Sequence, residues 1–292
     1  MRRLLHAQAT PGVLRWLTAG VFGFWCVRAA SWSVQPLTVL PESLYEPVGF
    51  LSILPDLAIS VMLTRPFLLT VQWLTVVTAC LAALSRGGAT CALLACAGAT
   101  LLEGIVRGFG GHISHHDLVL LYAAYGLALF RVADRFVPSG AQPDATRSGI
   151  PVVATIALLC VTYSFTGMFR LLRGGMELFT SGSLTFWALR NSHQYIDPTW
   201  GLGRFLPELP LVNAFLTLGY PIVTLFEVLA PVCLWSRRFR YVFLAVMVPF
   251  HLLSWMFLEI FFWESLLLYV LFLDLPRWRR VAAPAGPRTV GA

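Results

Sequence analysis

The sequence predicts an all-α fold, a polytopic membrane bundle of about eight transmembrane helices with both termini in the cytoplasm. Three observations carry that reading. Hydrophobic residues make up 58% of the chain and charged residues 12%, with a mean hydropathy of +0.74, outside the range of soluble domains and disordered chains. Several windows of about 20 residues hold few charges, the length an α-helix needs to cross roughly 30 Å of hydrocarbon. The runs are continuous and do not alternate with period two, which argues against a β-barrel.

The spans fall in order near 12–34, 57–84, 89–107, 117–137, 150–172, 211–235, 239–258 and 260–275. The first could be read as a signal peptide, with Arg2 and Arg3 as its charged start and Ala29-Ala30 near a cleavage site; Arg28 and the long apolar run favour a retained helix. Gln35 to Pro55 carries four prolines and reads as a turn-rich cap at the interface. The fourth span starts behind Asp117 or Ser114, either a natural N-cap. Residues 173–210 form the largest extracytoplasmic segment. It opens on Gly174-Gly175, holds an amphipathic stretch from Met176 to Leu189 and reads as a lid or a solvated connection. Residues 1–280 are expected to be a single transmembrane domain and 281–292 a disordered tail.

Arginine placement fits this segmentation, because cytoplasmic loops collect positive charge. With the N-terminus inside, Arg2, Arg3, Arg15, Arg86, Arg131, Arg135, Arg147, Arg237, Arg238, Arg240 and the arginines after position 276 face the cytoplasm, while Arg65, Arg107, Arg173, Arg190 and Arg204 face outward. The same rule accounts for the net charge of +7 without nucleic acid. The implied location is the cell inner, or cytoplasmic, membrane. Cys26, Cys80, Cys91, Cys96, Cys160 and Cys233 sit within predicted spans without a CxxC pair and read as small apolar fillers.

Arg170, Glu227 and His251 each lie inside a membrane-length apolar run, where an ionised group costs about 2.5 to 3.5 kcal/mol on insertion scales. Such residues face a partner, a cavity or a substrate. Pro231 lacks the N–H that would bond the Glu227 carbonyl, so a kink is expected beside that carboxyl; Pro221 and Pro249 should bend the sixth and seventh helices likewise. His251, Trp255 and Glu259 are spaced to share one helix face. Glu259 and Glu264 are placed at a wet turn between the last two spans. His112, His115, His116 and Asp117 invite a metal reading, but adjacent helical residues point about 100° apart and no HExxH or paired-cysteine partner exists, so no metal is expected. His116 is kept as a candidate for proton transfer.

Tyr163-Ser164-Phe165-Thr166-Gly167-Met168-Phe169-Arg170-Leu171, the histidines before the fourth span, and Phe226-Glu227-Val228-Leu229-Ala230-Pro231 followed by Phe250-His251 resemble the vitamin K-dependent gamma-carboxylase family and its bacterial relatives, the horizontally transferred transmembrane domain proteins. The resemblance runs over roughly residues 10–275. It implies a helical scaffold with a cavity open to lipid-soluble ligands, lined at the matching positions by His116, Arg170, Glu227 and His251. In that family a lysine at the position of Arg170 deprotonates the vitamin K hydroquinone. This chain has no lysine, and a guanidinium stays protonated, so carboxylation by that route is not expected. No counterpart of the large lumenal region of the carboxylases is expected over the span of the resemblance.

The expected function is therefore intramembrane acid–base chemistry on an isoprenoid, quinone or similar hydrophobic substrate, terpene cyclisation being one form. Arg170 would hold an anion, Glu227 would exchange a proton, and His251 or His116 would complete a relay. Aromatic residues including Trp187, Trp200, Trp235, Trp255 and Trp263 could line the cavity. The alternatives are a non-catalytic accessory for peptide export or maturation, with a protein partner, and a transporter of lipid-soluble ligands using the bent helices. Membrane lipid and a hydrophobic small molecule are the expected partners; the sequence names no cofactor.

Overall fold

The computed structural model describes residues 11–110, 115–136, 145–175, 183–194, 201–258, 260 and 262–273. Among these every regular element is helical. Among the described residues five helices are long and apolar enough to cross a membrane: Arg65–Ala83, Gly88–Gly110, Gly149–Gly174 within a longer helix, Pro210–Val228 and Arg237–Leu258. The tail 281–292 lies outside the described residues, as do His112, Ser114 and Glu259.

The chain divides into two compact units, residues 2–155 and 156–273 in the main. The first contains α1 (Pro11–Ser31), α2 (Asp56–Met62), α3 (Arg65–Ala83), α4 (Gly88–Gly110), α5 (His115–Asp134) and the start of α6 (Ala145–Gly174). Its main packing is α3 on α4, α1 on α3 and α4 on α5. Small residues make this possible: Ala89, Ala92, Ala95, Cys96 and Ala99 form the buried stripe of α4, and Gly98 backs onto Thr75 so closely that no Cβ would fit. Gln72 reaches from α3 to donate from Nε2 to the carbonyls of Ala29 and Trp32, 2.8 Å each, which satisfies acceptors left open by the end of α1.

Two expectations change here. Residues 57–84 do not form one helix: α2 ends at Met62, Thr64 is extended, and α3 restarts with Pro66 in its first turn, where the missing N–H is harmless. The Gln35–Pro55 segment is more ordered than a turn-rich cap implies. It forms 3-10 turns at Pro36–Val39, Glu42–Leu44 and Gly49–Ile53, and it buries Tyr45 and Leu51 in the core between α1, α3 and α4.

The second unit contains the rest of α6, then α7 (Ser183–Gln194), a 3-10 turn Leu202–Glu208, α8 (Pro210–Val228), a 3-10 turn Ala230–Leu234, α9 (Arg237–Leu258), α10 (Trp263–Tyr269) and a last 3-10 turn Val270–Phe272. The Leu202–Glu208 turn packs on α7, α8 and α9. Pro221 and Pro249 each sit inside an uninterrupted helix. At Pro231 the effect is stronger than a kink: α8 ends at Val228 and the chain tightens to 3-10 geometry. The expected span 260–275 is also shorter in its described part. Seven α-helical residues and three 3-10 residues rise about 16 Å, roughly half a hydrocarbon core.

Candidate functional site

Within the second unit, two helix faces carry most of the polarity. On α6, Tyr163, Gly167 and Arg170 follow the i, i+4, i+7 spacing that aligns residues on one face, and on α8 Tyr220, Thr224 and Glu227 do the same. Gly167 lets the two backbones meet. A Cβ there would lie 2.8 Å from the Val228 nitrogen and 2.9 Å from both the Thr224 oxygen and the Glu227 Cβ. Beside it the Ser164 hydroxyl donates to the Val228 carbonyl at 3.1 Å, an acceptor freed by the end of α8.

One turn further, Arg170 Nη1 donates to Glu227 Oε2 at 2.6 Å. Glu227 is 1% exposed, and the Arg170 side chain keeps 21% of its surface. The guanidinium also lies 5.4 Å from the centroid of the Tyr220 ring and 5.9 Å from that of Phe250. A buried carboxylate with a charge-assisted bond and a cation on two aromatic rings form a compensated ion pair.

His251 belongs to a second cluster. On α9 the buried face is Phe243, Met247, His251, Ser254 and Phe257. Trp255, one turn on from His251, is 39% exposed and so stands at the edge of this face, and the buried stripe continues through Ser254 and Phe257. His251 Nε2 lies 2.7 Å from the Tyr163 hydroxyl and 2.8 Å from that of Tyr269, and Tyr269 donates to Tyr163 at 2.5 Å. Nε2 accepts a hydrogen from one tyrosine in one neutral tautomer and donates in the other, so the trio can hold a proton at more than one atom. Glu264 and Ser265 of α10 are buried too, which corrects the wet-turn expectation for Glu264: α10 tucks its first turn into the unit.

A cavity of about 280 Å³ opens beside these clusters, bounded by α7, the Leu202–Glu208 turn, α8 and α9. Its aromatic wall is Phe215, Tyr220, Phe250 and Phe257, and aliphatic groups such as Leu184, Leu206, Leu216 and Val246 fill most of the rest. Arg170, Glu227 and His251 are not among the lining residues; the ion pair stands behind the Tyr220 and Phe250 rings. Tryptophans were expected in such a wall, yet Trp235 and Trp255 are exposed, and the side chains of Trp187, Trp200 and Trp263 lie outside the described residues. His116 is in the first turn of α5, in the other unit, and its side chain also lies outside the described residues.

Four residues of consequence were not singled out from the sequence. Tyr220 is the ionisable side chain on the cavity wall, and Tyr163 and Tyr269 complete the histidine cluster. Their signal was register: Tyr220 stands seven residues before Glu227, and Tyr163 seven before Arg170. In the first unit Glu103, buried in α4, pairs with Arg28 at 2.6 Å and Arg107 at 3.4 Å. A carboxylate within a membrane-length apolar run marked it as plainly as Glu227. All six cysteines are free thiols. No protein-family model, curated protein or solved structure matches the chain.

Proposed function

We propose that the chain is an inner-membrane enzyme of about eight transmembrane helices, both termini cytoplasmic, that carries out acid–base chemistry on an isoprenoid- or quinone-type substrate. The observation that carries this reading is the placement of the Arg170–Glu227 pair directly behind the aromatic wall of an apolar cavity. Apolar walls with few polar groups are the usual make-up of small-molecule sites. A proton is delivered to one carbon of an alkene and removed from another, so substrate and product are isomers and no co-reactant is consumed. Tyr220 is the group on the wall that reaches the guest. Arg170 and Glu227 set the charge behind it, and Tyr163, His251 and Tyr269 hold a further proton. His116 remains a candidate on the resemblance alone. The same resemblance, to the gamma-carboxylase and horizontally transferred transmembrane domain families, supports a lipid-soluble substrate and, with arginine at position 170, not glutamate carboxylation.

The test is product formation in membranes supplied with polyprenyl or quinone substrates. Tyr220→Phe removes the wall hydroxyl without touching the ion pair, and turnover should fall by about 10²-fold or more, the usual worth of a general acid. Full turnover in that variant would refute the assignment. Substrate accumulation in vesicles without chemical change would indicate a transporter, and copurification of a peptide an accessory. Reporter fusions at Ser139 and Arg190 should report opposite sides of the membrane.

A further inference from the structure

The cavity is uncharged as well as apolar. None of the described residues lining it carries a carboxylate, an imidazole or a guanidinium. Arg170, which touches the wall from behind, already donates to Glu227 and rests on two rings. What polarity the side chains offer is two hydroxyls, Tyr220 and Ser254. Among the described residues neither makes a side-chain hydrogen bond, although Ser254 is 3% exposed. Neither oxygen is sealed away from the cavity, so these two hydroxyls mark where a polar atom of a guest would sit. Phe215 and Ile222, two of the α8 residues that line it, are exposed, so the cavity has an open rim along that helix.

We propose that this cavity takes an apolar chain ending in one uncharged hydrogen-bonding head, an isoprenoid or fatty alcohol, and discriminates against the same chain carrying a diphosphate. The proposal rests on the reading of the cavity as the substrate site. Its volume of about 280 Å³ equals roughly nine water-sized units of about 30 Å³. That is the size of two isoprene units with their hydroxyl; a longer chain leaves through the rim into lipid. A diphosphate would bring several charges to a wall whose described residues hold no free cation, where a single one weakens binding by about a hundred-fold.

The experiment uses the full chain in phosphatidylcholine nanodiscs, with a diazirine-bearing geraniol and the matching geranyl diphosphate as photoprobes. The alcohol should label the α7–α9 region, and unlabelled geraniol should compete at about hundred-fold lower concentration than geranyl diphosphate. Ser254→Ala and Tyr220→Phe should each weaken labelling about five-fold, the worth of one hydrogen bond. Leu216→Trp and Val246→Trp, which fill the cavity from different helices, should each abolish it; the variant that elutes as folded protein decides if only one does. Equal labelling by the diphosphate, lost in the tryptophan variants, would overturn the head-group preference and leave the site standing. Unchanged labelling in both hydroxyl variants would overturn it as well. Labelling by neither probe, or labelling indifferent to the tryptophans, would remove the site itself and the proposal with it.

Discussion

Gly167→Ala tests the packing that brings Arg170 to Glu227. The new Cβ would stand 2.8 Å from the Val228 nitrogen and 2.9 Å from the Thr224 oxygen, both backbone atoms that no side-chain rotation can move, and 2.9 Å from the Glu227 Cβ. Relief requires α6 and α8 to part by several tenths of an ångström. Overpacking of this kind costs about 1 to 3 kcal/mol. Parting the helices also stretches the Ser164 bond to Val228, worth about 1 kcal/mol. Alanine returns up to about 1 kcal/mol of helix propensity. The net expectation is a loss of about 2 kcal/mol. Gly219→Ala is the control in the same unit, since nothing lies within 4 Å of its Cβ position, and it should be neutral or stabilising by up to about 1 kcal/mol. Denaturation by SDS in mixed micelles, followed by tryptophan fluorescence, should separate the two variants by about 2 to 3 kcal/mol. Equal stability, or a more stable Gly167→Ala, would show that α6 and α8 do not approach as described.

Three further outcomes follow from the same structure. Arg170→Leu alone should destabilise by about 3 to 5 kcal/mol because it strands a buried carboxylate, whereas Arg170→Leu with Glu227→Leu should recover most of that; a double-mutant cycle in the SDS assay reads the difference. His251→Phe leaves two buried tyrosine hydroxyls short of a partner and should cost about 1 to 3 kcal/mol, with Tyr163→Phe added on top costing less than it does alone, since both act on one network. Gln72→Leu removes two bonds to the end of α1 and should lower stability by about 1 to 3 kcal/mol while raising hydrogen exchange of the amides near Trp32.

Long apolar runs were legible because a bilayer admits only helices and closed barrels, and runs without period-two alternation leave the helix. Residues 150–172 and 239–258 fall inside α6 and α9, and Arg170, Glu227 and His251 are all within helices. Local breaks were harder. Thr64-Arg65-Pro66 is a short polar interruption between two apolar stretches, so a hydropathy window of about 20 residues ran through it, while the missing N–H of Pro66 suits the start of a new helix. Glu227 and Arg170 were marked by the cost of their charge, but their pairing depends on which face of each helix turns inward. Tyr220 and Tyr269 were invisible because a tyrosine in an apolar run looks like any aromatic of a membrane interface; only the partner helices assign it a site. Glu264 was misplaced because α10 ends after seven α-helical residues and folds its first turn inward, a tertiary choice with no local signature.

The guanidinium behind the cavity wall has a consequence for any carbocation formed there. Tyr220 and Phe250 already lend one π-face each to Arg170, and the positive charge at 5.4 and 5.9 Å opposes a second cation on the other side. Among the described residues no guanidinium lies over the Phe215 or Phe257 ring. Under the proposed chemistry, a developing positive centre would be steered toward those two rings and away from the arginine, which would fix the polarity with which a chain lies in the chamber and the carbon at which its reaction can end.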